Sequence, residues 1–142
     1  MLRKLAALPS DQRKLLGIGL CWVLVTRALL RFSARSLPEQ QRWLDALAAR
    51  FGPPRGCTAS RAAWAITAAA RRIPGTRCLA WSVALRGLLV QSGISAELRI
   101  GVARSELHRF KAHAWVEAAE RSWTFGDDID DYAVLRPRPV AG

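Results

Sequence analysis

One stretch of this chain leaves little choice of fold. After the turn chemistry of Ile73-Pro74-Gly75 comes Thr76-Arg77-Cys78-Leu79. From Leu79 the apolar residues fall at Val83, Leu85, Leu88, Leu89 and Val90, and Gly93 supplies a stop. The spacing predicts a helix of about four turns, buried on most sides, that opens at or beside Cys78. A helix of that kind needs other elements packed around it. A thiol in its first turn lies among backbone N–H groups without intrahelical partners, at the positive end of the helix dipole. Both features favour the thiolate.

The 142 residues suffice for one domain with a single core, and 51 % of them are hydrophobic. The formal net charge of +11 attracts acidic partners: nucleic acid, anionic lipid or an acidic peptide. The basic residues are spread from Arg3 to Arg138 without a long run, which fits long-range steering better than a nuclear-targeting or heparin-type patch. Cys21, Cys57 and Cys78 are odd in number and lack metal-ligand spacing. Neither a disulfide framework nor a metal is expected, and a reducing cytosol fits. No phosphate-loop, dinucleotide or zinc-helix motif is present, so no cofactor is expected.

The first half reads as helical. Residues 15–25 are strongly apolar and include Trp22; Lys14 and Arg27 bound them, and Leu29, Leu30 and Phe32 extend the apolar character. The charge-free stretch is shorter than the roughly 20 residues that span a bilayer. No small-residue cleavage signal follows closely. The reading is a buried or docking amphipathic helix, and basic residues flanking an apolar stripe also suit contact with an anionic membrane surface. Ser10 and Asp11 are its cap candidates. Ser36-Leu37-Pro38-Glu39 starts a second helix with Trp43, Leu44, Leu47 and Ala48 on its apolar face. Phe51-Gly52-Pro53-Pro54-Arg55-Gly56 is the clearest break in the chain. A third helix over 58–72 has Ala62, Ala63, Ile66, Ala69 and Ala70 at its inner positions, small enough for close helix packing. Cys21 and Cys57 read as small buried hydrophobes.

After Gly93 the period changes to two. Ala96, Leu98, Ile100 and Val102 alternate with Glu97, Arg99 and Gly101, as in a strand. Residues 103–111 read as a charged loop in which His108 is solvated. Residues 112–118 form a second strand with His113, Trp115 and Glu117 on one face. Arg121-Ser122 is read as a turn, Trp123-Thr124-Phe125 as a third strand ended by Gly126-Asp127-Asp128, and residues 132–135 as a fourth. The expected organisation is an N-terminal helical region over 1–56, an α+β domain over 57–136 and a flexible tail over 137–142.

A cysteine that opens a helix, a histidine on a strand and an acidic pair after the next strand can make a Cys–His–Asp site. The imidazole takes the thiol proton, and the carboxylate orients the imidazole and stabilises its charge. The backbone N–H of Cys78 is then an oxyanion donor. Asp127 lies a hairpin's length after His113.

Pro74-Gly75-Thr76-Arg77-Cys78-Leu79, then Ser92-Gly93-Ile94, Ala96-Glu97-Leu98-Arg99-Ile100-Gly101-Val102 and Ala112-His113-Ala114-Trp115-Val116-Glu117 occur in one order. Together they resemble the transglutaminase-like cysteine peptidases of lasso-peptide maturation, over residues 59–135. The resemblance implies a papain-like α+β core, a nucleophile helix packed on a small antiparallel sheet, preceded by N-terminal helices. It implies a bacterial, cytoplasmic enzyme, peripheral to the inner membrane face if the first helix docks there. Such an enzyme removes the leader from a ribosomally made precursor peptide, here in the split form without its own leader-recognition domain.

Carried over by position, Cys78 is the nucleophile and His113 the base. Trp115 and Glu117, on the strand face of His113, read as wall residues and supports behind them, with the alternative that Glu117 orients a group in the site. The family's aspartate falls about 12 residues after its histidine, where this chain has Phe125. A hairpin longer by two residues would keep the in–out alternation and bring Asp127 to that place. Asp128 is the next choice, before Asp130 and Asp131. The implied partners are the precursor peptide, a separate small leader-recognition protein and an asparagine-synthetase-like lasso cyclase. Acyl transfer to an amine would use the same residues. A non-enzymatic basic module for nucleic acid is the third reading, but no nucleic-acid motif supports it.

Overall fold

The computed structural model describes residues 9–104, 110–125 and 133–135. Four helices come first: α1 (Ser10–Phe32), α2 (Leu37–Arg50), α3 (Ala59–Arg72) and α4 (Cys78–Gln91). Four strands follow: β1 (Ala96–Arg104), β2 (Phe110–Ala118), β3 (Arg121–Trp123) and β4 (Ala133–Leu135). The strands make one antiparallel sheet in the order β3-β2-β1-β4. The fold is α+β, with the cysteine-led helix packed on a small antiparallel sheet and preceded by helices, as the sequence predicts.

Local chemistry sets the helix boundaries. The Thr58 hydroxyl accepts from the Arg61 N–H (3.2 Å) and opens α3. Pro38 sits in the first turn of α2. At the end of α4, Gly93 takes φ +77°. The Ile94 N–H then reaches the Leu89 carbonyl (2.8 Å) and the Gly93 N–H the Val90 carbonyl (3.0 Å). That is a Schellman closure, which a left-handed glycine makes possible.

α4 is the hub. It touches α1, α2 and α3, and it also packs on β1 and β2. Trp81, Val83, Ala84, Leu85, Leu88 and Leu89 are all buried in one core with Val116 and Ala118 of β2. α1 contributes Leu15, Leu16, Trp22 and Val23 to that core. α3 brings Ala62, Ala65, Ile66 and Ala69, each fully buried. Ala65 joins the predicted inner positions, and Ala63 is half-buried instead.

Four readings need correction. The hairpin between β2 and β3 turns at Ala119-Glu120, with φ +51° and +60°, and Arg121-Ser122 belong to β3. Positive φ at both central residues is what a tight two-residue hairpin requires, and neither residue announces it by type. β1 and β2 run on into Arg104 and Phe110, because backbone pairing continues past the apolar alternation. Cys21 is exposed and Cys57 half-buried. Finally, α1 starts with Pro9 at its cap and runs 23 residues, long and apolar enough by length and composition to cross a membrane. Residues 1–8, the tail over 137–142, and the aspartates at 127, 128, 130 and 131 lie outside the described residues, as does His108.

Candidate active site

Cys78 is the first residue of α4 and is half-buried. Three contacts shape the turn that delivers it. Gly75 takes φ +83°, which a residue with a side chain adopts only under strain. The Thr76 hydroxyl donates to the Ile73 carbonyl (2.9 Å). The Arg27 guanidinium, reaching across from α1, donates to the Pro74 carbonyl (2.7 Å). Arg27 was missed in the sequence reading. Its signal was available: it is the one charge between Lys14 and Arg31 in an otherwise apolar run, and a buried-side charge in such a run needs a partner.

The start of α4 is open to negative charge. Arg77 caps it in an extended conformation without a side-chain cap bond, and the first turn holds no acidic residue. The N–H groups of a first turn have no acceptor within the helix. Here they accompany the thiol, so an anionic oxygen beside Cys78 would meet donors and the positive end of the dipole.

His113 lies in the middle of β2, opposite Gly101 of β1. It is 4 % exposed. Its ring lies 6.2 Å from that of Trp115 at an interplanar angle of 24°, and Trp115 is itself buried. Along β2, Val116 and Ala118 belong to the core shared with α4, while His113, Trp115 and Glu117 take the alternate positions. Glu117 accepts from Arg99 Nε (3.3 Å), and Arg99 also bonds Glu97. The Glu117 carboxylate thus has a cationic neighbour on β1.

The segment that enters residues 126–132 is fixed at its near end. Phe125 stacks on Trp81, with ring centroids 5.7 Å apart and planes 15° from parallel. Trp81 follows Cys78 by one turn of α4, and its indole N–H donates to Thr67 Oγ1 (3.1 Å). The structure thus places the thiol at the first residue of α4 and packs the strand that carries His113 along the same helix; the helix side of that strand is Val116 and Ala118, His113 takes the alternate face, and Phe125 is anchored one turn beyond Cys78. The exposed Cys21 and the half-buried Cys57 stand on α1 and in the loop before α3.

Against known families, the model of the transglutaminase-like superfamily matches residues 21–137. The match takes in the second half of α1, all of α2 to α4 and the sheet, and so reaches well ahead of the motifs that carry the resemblance. No curated protein and no solved structure matches the chain.

Proposed function

The chain belongs to the transglutaminase-like superfamily, and from that premise we propose that it is the cysteine peptidase that removes the leader from a lasso-peptide precursor. Membership gives the coarser class, thiol-based peptidase or acyltransferase chemistry. A free thiol at the first residue of the helix on which the His113 strand packs supports that thiol chemistry, and the order of motifs over residues 59–135 supports the finer reading.

In this reading His113 takes the Cys78 proton and the thiolate attacks the scissile carbonyl carbon. The carbonyl π pair moves to oxygen, where the Cys78 N–H receives it. Collapse breaks the C–N bond, His113 returns the proton to the leaving amine, and the leader is held as a thioester. Water, deprotonated by His113, then releases the leader acid and regenerates the thiol. Asp127 orients the imidazole. The enzyme works in the bacterial cytosol with a separate small leader-recognition protein, and the freed core passes to an asparagine-synthetase-like cyclase.

The test is mass spectrometry of a lasso-peptide precursor incubated with the chain. Cys78→Ala should abolish leader release while the protein stays folded, and Cys21→Ala and Cys57→Ala should keep it. Full cleavage by Cys78→Ala overturns the mechanism. Under dilute conditions the recognition protein should accelerate cleavage strongly; equal rates with and without it overturn the partner assignment.

A further inference from the structure

The outer face of α1 takes no part in the candidate site, and it is the most unusual surface of the molecule. α1 is apolar over most of its length, yet only a third of its most apolar stretch is buried. Its inner face is committed to the core: Gly19 lies against the Ala65 backbone, and Trp22 packs on Gly87 and donates to Gln91 (2.7 Å). The outer face carries Gly17, Cys21, Leu24, Ala28 and Phe32, all exposed. Steps of three and four residues put them in one stripe along the helix. Leu24 is 55 % and Phe32 80 % exposed.

α2 does not close over the stripe. A groove of about 760 Å³ runs between the two helices, walled almost wholly by apolar side chains, among them Ile18, Cys21, Val25, Leu47 and Phe51. Single exposed hydrophobes are ordinary, but a continuous apolar stripe with an adjoining groove marks an interaction surface.

Charge selects the occupant. The stripe itself carries no charged residue between Lys14 and Arg31, and Arg27 turns away to the Pro74 carbonyl. Its two ends are basic and exposed, Arg13 and Lys14 at one and Arg31 and Arg35 at the other. Among the described residues none of these four is ion-paired. Asp11 is the single acid on α1. An apolar stripe roughly 25 Å long with cations at both ends matches acyl chains flanked by lipid phosphates.

We propose that α1 is a membrane-docking helix for anionic lipid. It lies in the plane of the bilayer surface, with the stripe and groove among the acyl chains and the basic ends at the phosphates. It does not cross the bilayer, because crossing would strip its inner face from α3 and α4. At the Phe32 end the surface shares a depression with Ala80 in the first turn of α4, so docking holds the start of the Cys78 helix near the membrane. The proposal is independent of the peptidase reading.

The experiment is co-sedimentation of the full chain with vesicles of phosphatidylcholine alone or of an equal mixture with phosphatidylglycerol. Binding to the mixed vesicles should be at least about tenfold stronger and should weaken with salt. Leu24→Gln with Ala28→Gln makes two exposed positions polar without changing the net charge; with its fold verified by circular dichroism, the double variant should lose about tenfold or more in binding. A polarity-sensitive dye on Cys21, in a Cys57→Ser and Cys78→Ser background, should shift to the blue only with the mixed vesicles. Failure to bind mixed vesicles overturns the proposal. So does unchanged binding by the double variant, which would leave net charge as the sole cause, or an unshifted dye. A dimer that ignores vesicles and dissolves in the double variant overturns it in favour of a second copy of the chain.

Discussion

α4 and α1 are the two most apolar of the described helices, and the molecule treats them in opposite ways. α4 has neighbours all round: the other three helices and two strands. Its one charged side chain, Arg86, makes a two-pronged bond to Asp45 of α2 (2.6 and 3.1 Å). α1 has neighbours along one face, where α3 and α4 pack, and its other face meets solvent. The difference teaches that hydropathy measures how much apolar surface a helix must cover, and topology decides whether the chain itself can cover it. Where it can, the helix organises a core. Where it cannot, the uncovered face is left for something outside the chain.

The sharpest way to break this comparison is to remove a large side chain from each helix. Trp81 is 2 % exposed, stacks on Phe125 and bonds Thr67. Trp81→Ala should cost about 3–5 kcal/mol of stability, the range for an emptied aromatic site in a core. Leu24→Ala, on the open face of α1, should stay within about 0.5 kcal/mol of wild type. Urea titration of both variants decides it. Equal losses would mean that the outer face of α1 is covered within the folded chain.

The next effect is catalytic and concerns the end of the segment that Trp81 anchors. The hairpin is a tight one, with Val116 opposite Trp123 and Ala118 opposite Arg121. Strict alternation beyond Trp123 would give Asp128 the parity of Ser122 and His113. Phe125, however, lies in a bend, where strict alternation ends, and Asp127 is the first carboxylate after it. Asp127→Ala should lower single-turnover cleavage by roughly 10–10³-fold, about 1.4–4 kcal/mol of barrier. A thiol ionises more readily than a serine hydroxyl, so some activity should survive. Asp128→Ala should be milder. The reverse order would assign the role by strand parity and move it one residue along.

Much of this architecture was legible in the residues, and what was hidden had physical reasons. Periodicity and turn chemistry exposed α4, its Schellman end at Gly93 and the position of Cys78 at its start. The period-two run revealed β1, and His113 on β2 with it. The Ala119-Glu120 turn was hidden because left-handed backbone is normally announced by Gly, Asn or Asp; here the pairing of the flanking strands imposes it on two ordinary residues. The exposure of Cys21 was hidden because a cysteine in an apolar run looks the same whichever face it takes. The Trp81–Phe125 stack joins residues far apart in sequence, and no local pattern encodes such a contact. The identity of the carboxylate stayed open for a related reason: it depends on hairpin register, and a one-residue change moves a side chain to the opposite face.

The smallest effect tests the two faces of α1 with one methyl group each. Gly17 and Gly19 are two residues apart on the same helix, and both give up helix propensity relative to alanine. At Gly19 an added Cβ would come within 2.9 Å of the Ala65 carbonyl oxygen. That obstacle is backbone, so α1 and α3 would have to separate, and Gly19→Ala should cost about 1–3 kcal/mol as an overpacked core does. Gly87 makes the same demand from α4, where a Cβ would lie 2.5 Å from the Trp22 ring. At Gly17 an added Cβ meets nothing within 4 Å. Gly17→Ala therefore keeps only the backbone-entropy and propensity gain, and should stabilise the protein by about 0.5–1 kcal/mol. The extra methyl also lengthens the apolar stripe, so binding to mixed vesicles should be preserved. Thermal melts of the two variants, side by side, read the difference as shifts of opposite sign. Two shifts of the same sign would show that α1 does not divide into a packed and an open face, and the contrast with α4 would fall with it.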